Sequence, residues 1–109
     1  MVFQHRTLAE GRWQKLSLME QLGNIGSEVG RARRSKGKDE ERFRNASDRA
    51  LELFDLTLAD PRWIGRITEI ARAREVFCDA LLGGHEYNSS LLDLERYFDF
   101  FTFAARRNL

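Results

Sequence analysis

The sequence predicts an all-α fold, a four-helix bundle of antiparallel, up-and-down topology, built as a single helical domain over residues 1–109. Three observations predict it. Apolar residues return at three- and four-residue intervals in four separate stretches, with no strand alternation between them. Cap and breaker residues cut the chain where those stretches end: at residues 35–38, at Asp60 and Pro61, and at Gly83 and Gly84. The chain has a single proline, so long helices run uninterrupted. Helices are expected at about residues 13–34, 39–58, 61–82 and 90–106.

The first dozen residues are mixed and expected to be irregular or loosely helical. From Trp13 the first stripe runs through Leu18, Leu22, Ile25 and Val29, widened by Leu16 and Met19. Gly23, Gly26 and Gly30 lie beside it along one face. Each glycine gives up about 1 kcal/mol of helix stability against alanine, which makes sense where another helix packs closely. Arg31, Arg33 and Arg34 close this helix, where cations suit the negative end of the dipole. After the turn, Asp39, Glu40 and Glu41 open the second helix at its positive end.

The second helix turns Phe43, Ala46, Ala50, Leu53, Phe54 and Thr57 inward, and Glu40, Arg44 and Asp48 form a solvated ladder four residues apart. Asp60 caps the third helix and Pro61 takes its first position, where a missing N–H costs nothing. Ile64, Ile67, Ile70 or Ala71, Phe77 and Leu81 are its expected inward residues. Gly83 and Gly84 end it, His85 to Asn88 form a loop, and Ser90 with Asp93 resembles a capping box.

In the last helix Leu91, Leu94, Tyr97, Phe98, Phe100, Phe101, Phe103 and Ala104 cover far more than one stripe. A helix apolar over most of its circumference is either central or faces a second partner. Homo-oligomerisation is therefore expected through Tyr97, Phe98, Phe100, Phe101 and Phe103. The alternative is that two or three of these rings only roof the core.

Hydrophobic residues at 42% and charged residues at 32% fit a soluble globular chain rather than a disordered one. The net charge of +1 excludes the whole chain as a polycation, so any electrostatic role falls to local patches. Cys78 is the only cysteine, which excludes an intrachain disulfide and a cysteine-based zinc site. No signal-like apolar run lies in the first dozen residues, and no later run has membrane-spanning length. A cytoplasmic location without a membrane partner is expected.

No catalytic residue, metal site or cofactor is expected. A di-iron bundle needs Glu-x-x-His pairs, and neither His5 nor His85 follows a glutamate by three. His85 and Glu86 could join Asp79 or Cys78 around a metal only in principle, since a loop histidine is ordinarily solvated. Cys78 reads as a small hydrophobe. No Gly-x-Ser-x-Gly is present, and Gly23, Gly26 and Gly30 follow no strand and precede no Gly-Lys-Ser/Thr.

The basic turn is the remaining candidate. Arg31, Arg33, Arg34, Lys36 and Lys38 place five cations in eight residues with no acid among them. Such a group neutralises phosphates and reads little sequence. Arg62, Arg66, Arg72, Arg74, Arg106 and Arg107 would extend the surface. The competing reading is that these cations serve the helix dipole and solubility, offset by the acids at residues 39–41.

The segment Ile25-Gly-Ser-Glu-Val-Gly-Arg-Ala-Arg-Arg-Ser-Lys, with Phe43, Ala46 and Ala50-Leu51-Glu52-Leu53, resembles a four-helix-bundle family. That family includes proteins encoded in intervening sequences of bacterial 23S rRNA genes and the accessory variability proteins of diversity-generating retroelements. Ile25, Ser27 and Val29, then Arg34, Ser35 and Lys36, then Phe43, Leu51, Glu52 and Leu53 match its pattern, whereas its Ala-Glu-Gly is not reproduced after Val29. The resemblance covers about a third of the chain and rests on helix-packing residues. It implies a four-helix protomer in a ring, often pentameric, with basic surfaces contacting RNA or a reverse transcriptase. Arg33, Arg34 and Lys36 would lie on such a surface.

The expected function is a non-catalytic binding module that meets RNA, DNA or an acidic partner protein through the basic turn. The alternative is a structural or protein-interaction module that uses the aromatic last helix and has no nucleic-acid role.

Overall fold

The structure, a computed structural model, describes residues 11–107. His5 and most of the expected irregular N-terminal stretch lie outside the described residues. A 3-10 turn at Trp13–Lys15 leads into α1 (Leu18–Ser35) and α2 (Glu40–Leu58). A 3-10 segment at Pro61–Arg66, α3 (Ile67–Leu81) and α4 (Leu91–Arg107) follow. α1 is the central helix, packed on both α2 and α4, and α3 closes the bundle against α2 and α4. Gly23 faces Thr102 and Gly30 faces Glu95, so α1 and α4 run antiparallel. The fold is an all-α four-helix bundle.

α1 starts later than its apolar spacing suggests. Ser17 Oγ accepts the Glu20 N–H at 3.1 Å, and the Glu20 carboxylate accepts the Ser17 N–H at 2.9 Å. This reciprocal cap fixes the first helical residue at Leu18 and leaves Leu16 extended. Trp13 is nonetheless buried, and its indole N–H donates to Thr57 Oγ1 at 3.0 Å.

Around it lies a buried polar knot. The Gln21 side-chain NH2 donates to the Trp13 carbonyl at 2.9 Å and to Asp60 Oδ2 at 3.1 Å, while its Oε1 accepts the Trp63 indole N–H at 2.8 Å. Arg62 donates to the Asp60 carboxylate and to the Leu16 carbonyl, both at 2.7 Å. These bonds join the 3-10 turn, α1, the end of α2 and the 3-10 segment at one end of the bundle. The hydrogen bonds and charge of Arg62 hold the Asp60 carboxyl down to about 2.

The third helix also departs from the expected 61–82 span. Asp60 caps it and Pro61 begins it, but residues 61–66 wind as a 3-10 segment that breaks at Trp63 (φ −105°, ψ 22°). The break lets the Trp63 indole reach Gln21 beneath the Arg62 guanidinium, which lies 4.4 Å from the ring centroid. It also changes the helical phase. Ile64 and Ile67, expected inward, are 75% and 40% exposed, and inward packing starts at Ile70. At the far end Gly83 and Gly84 have φ of +112° and +76°, which suits glycine. Ser90 and Asp93 cap α4 reciprocally through two 3.1 Å bonds.

One ring from each of three helices fills the centre: Phe54 lies 5.9 Å from both Phe77 and Phe98. Phe98, expected at an oligomer interface, is fully buried, so it belongs to the protomer core. It sits against Gly26, where a Cβ would collide with its own Cβ. A Cβ at Gly23 would lie 2.8 Å from Thr102 Oγ1, and one at Gly30 would meet the Glu95 carboxylate. The glycine face of α1 is the seat of α4.

Gly26→Ala gains helix propensity but overpacks this seat. We expect a net loss of about 1–3 kcal/mol in urea unfolding. Gly65→Ala, whose Cβ would meet nothing within 4 Å, should stay within about 1 kcal/mol of the parent. The depressed Asp60 carboxyl gives a second expectation. Its stabilisation is complete above the unfolded value near 4 and fades as pH falls toward 2. Because Arg62 is part exposed, the contribution is on the order of 1–2 kcal/mol. Unfolding curves at pH 5 and pH 2.5 should show that loss in the parent, and Asp60→Asn should lose less over the same interval.

Candidate anion-binding groove

The C-terminal end of α1, the turn and the first half of α2 enclose an open groove of about 670 Å³. Helical periodicity aligns its walls. Arg31, Arg34 and Ser35 share one side of α1, and Arg42, Asn45, Ala46 and Arg49 recur at three- and four-residue intervals along α2. Lys38 enters from the turn, and Ala46 leaves space on the α2 side. Among the described residues five cations line the groove with one acid, Asp39. Asp39 is committed elsewhere: it caps α2 by accepting the Arg42 N–H at 3.1 Å. Its 3.5 Å pair with the Arg42 guanidinium is exposed and weak.

The basic turn does not act as one patch. Arg31, Arg34 and Lys38 face this groove, while Arg33 and Lys36 line a separate cleft of about 430 Å³ beside the start of α4. Arg33 Nε donates to one Glu95 oxygen, and Arg34 Nη1 donates to the other at 3.2 Å. Glu95 is largely buried, and the missing side chain of Gly30 makes its room. Lys36 Nζ reaches the Ala80 carbonyl at 3.5 Å. Arg31 pairs with Glu28, a buried carboxylate whose Oε2 accepts no hydrogen bond from the described residues. Two of the five turn cations thus brace α1 against α4, and Arg34 does so from the edge of the groove.

The arginines expected to extend the surface are placed differently. Arg62 serves Asp60, Arg74 pairs with Asp55 at 2.9 Å, and Arg66 and Arg72 pair with Glu69 and Glu75 along α3. Arg107 lies over the Phe103 ring, and Arg106 lines a shallow cleft between α1 and α4. Sequence reading missed Arg42 and Arg49. Their signal was the 42, 45, 46, 49 spacing on one α2 face, hidden because the outward Glu40–Arg44–Asp48 ladder drew the eye to local pairing.

His85, Asp79 and Cys78 form no ligand set. Asp79 accepts the Glu86 and Tyr87 N–H groups at 3.1 and 3.0 Å. The Tyr87 N–H leads in holding its carboxyl below the usual range. Among the described residues no three His, Cys, Asp or Glu side chains stand close enough to hold a metal ion. No helix among them is long and apolar enough to cross a membrane. Comparison with family models, with curated proteins and with solved structures finds no match to this chain.

Replacing Glu95 by Gln removes the charge that holds Arg33 and Arg34 across the α1–α4 contact. With both arginines part exposed, the expected cost is about 1 kcal/mol in urea unfolding. Arg44→Ala on the outer face of α2 should change stability by less than about 0.5 kcal/mol.

Proposed function

We propose that this protein is a non-catalytic helical module that binds nucleic acid through the phosphate backbone, using the groove between α1 and α2. The observation that carries the reading is the groove itself, which gathers Arg31, Arg34, Lys38, Arg42 and Arg49 in a chain of net charge +1, with Glu28 and Glu95 reaching Arg31 and Arg34 from outside its lining. A local excess of that kind concentrates field where the whole chain has almost none. Four of the five cations are arginines, whose planar forks match phosphate oxygens in pairs.

The groove offers charge without a means of reading bases. Among the described residues no aromatic ring lines it, so they offer no platform for stacking unpaired bases there. Its contacts position a backbone and leave sequence unread. The resemblance of residues 25–36 to a family with basic, RNA-contacting surfaces points the same way. An acidic protein would also meet the cations, but the preponderance of arginine forks favours phosphate over scattered carboxylates.

Fluorescence anisotropy with a labelled single-stranded RNA and a labelled DNA duplex tests the reading between about 50 and 200 mM salt. The parent should bind both with a log–log salt slope of several units. The double variant Lys38→Ala/Arg42→Ala should bind at least about tenfold more weakly, and its slope should fall by roughly 0.7–0.9 for each phosphate it no longer neutralises. Unchanged affinity and slope in a folded double variant would overturn the proposal.

A further inference from the structure

α4 exposes more apolar ring surface than its place in the bundle uses. Tyr97, Phe100 and Phe103 are 50%, 66% and 61% exposed and follow one another at three-residue intervals. At 100° per residue, Phe100 and Phe103 share one outer face with Asp93, Arg96 and Arg107, and Tyr97 lies at its edge. This face is turned away from α1, which contacts α4 through Glu95, Phe98 and Thr102. Beside Tyr97 a cavity of about 330 Å³ opens between α3 and α4. Ala73, Val76, Leu94 and Tyr97 give it an apolar lining, and Glu69 and Asp93 give its rim an acidic bias over Arg72. The cavity lies on the Tyr97 side of this face and Phe103 on the other side, with Phe100 between them.

We infer that this surface binds a second copy of the chain, with the two α4 helices antiparallel about a two-fold axis at Phe100, so that each Phe100 packs on its own counterpart. The charges on α4 argue for the occupant and its direction. Asp93 and Arg107 lie seven residues either side of Phe100, two helical turns or about 10.5 Å away. Antiparallel pairing centred on Phe100 sets Asp93 of each copy opposite Arg107 of the other, twice. Parallel pairing would oppose like charges and align the two helix dipoles. The same register brings Tyr97 level with the second copy's Phe103, one at each edge of the contact, and places small Ala104 level with the longer Arg96. Such a surface completes itself under two-fold rotation and closes at two copies. An anionic lipid surface is disfavoured by the acids at the rim.

Sedimentation equilibrium of the full chain from low to high micromolar concentration tests this directly. The parent should move from one to two copies as concentration rises. Phe100→Asp should stay at one copy with an unchanged helical circular-dichroism signal. Arg107→Asp, at the exposed end of α4, should weaken association at least about tenfold. The register has its own readout. In a Cys78→Ser background, Phe100→Cys should form a disulfide with its own kind under mild oxidation, while Arg96→Cys, eight residues from its counterpart across the axis, should not. A parent that stays monomeric throughout, an assembly that survives Phe100→Asp, or a ring of five copies would each overturn the inference. The groove between α1 and α2 plays no part in these measurements, so their outcome is independent of nucleic-acid binding.

Discussion

The bundle depends on how closely α4 lies against α1. Three side-chain positions on α1 are empty, at Gly23, Gly26 and Gly30, and three residues of α4 occupy the space: Thr102, Phe98 and Glu95. Everything central follows from that contact. Phe98 enters far enough to meet Phe54 from α2, and Phe54 in turn meets Phe77 from α3. A single glycine-lined face therefore sets the distance at which all four helices share one core. The helix propensity given up by three glycines, about 3 kcal/mol in total by peptide scales, is offset by burial of Phe98 alone to a similar order.

The same contact decides what the basic turn can do. Gly30 admits the Glu95 carboxylate to the edge of α1, and Arg33 and Arg34 converge on it. Cations that read in sequence as one run are thereby sorted. One part braces two helices whose paired residues are about sixty positions apart, and the other part faces the groove with Arg42 and Arg49. Charge at the end of a helix has two uses here, the tertiary one near Glu95 and the open one near α2. Only the second can serve a ligand without loosening the seat of α4.

Much of this architecture was legible in the residues. The four apolar stripes, the Asp60 cap, the Ser90 and Asp93 pair and the Gly83–Gly84 stop are all local signals, and local signals fix helices. The start of α1 was also written locally, in Ser17 and Glu20, but the apolar run through Trp13 and Leu16 masked it. The break at Trp63 was not legible, because its cause is a hydrogen bond to Gln21 from forty-two positions away. With it went the phase of Ile64 and Ile67. The partner of Arg33 was hidden for the same reason: nothing near residue 33 names Glu95. In α4 the aromatic excess was plain, but its division into core and surface depended on which ring meets Gly26, and that is Phe98.

The groove and the outer face of α4 lie on different sides of α1, so the two proposed uses do not compete. They reinforce one another. A dimer closed through α4 carries two grooves, and a nucleic-acid backbone long enough to span both would meet the second one at the effective concentration of a tethered site. A groove that binds weakly through a few phosphate contacts then gains avidity without any new residue. The near-neutral net charge matters in this setting, because two protomers of charge +1 repel little as they associate. A chain made basic throughout would bind phosphate more tightly and its own copy less readily. On the proposed association face itself Arg107 meets Asp93 of the second copy, so the cations there add little to that repulsion.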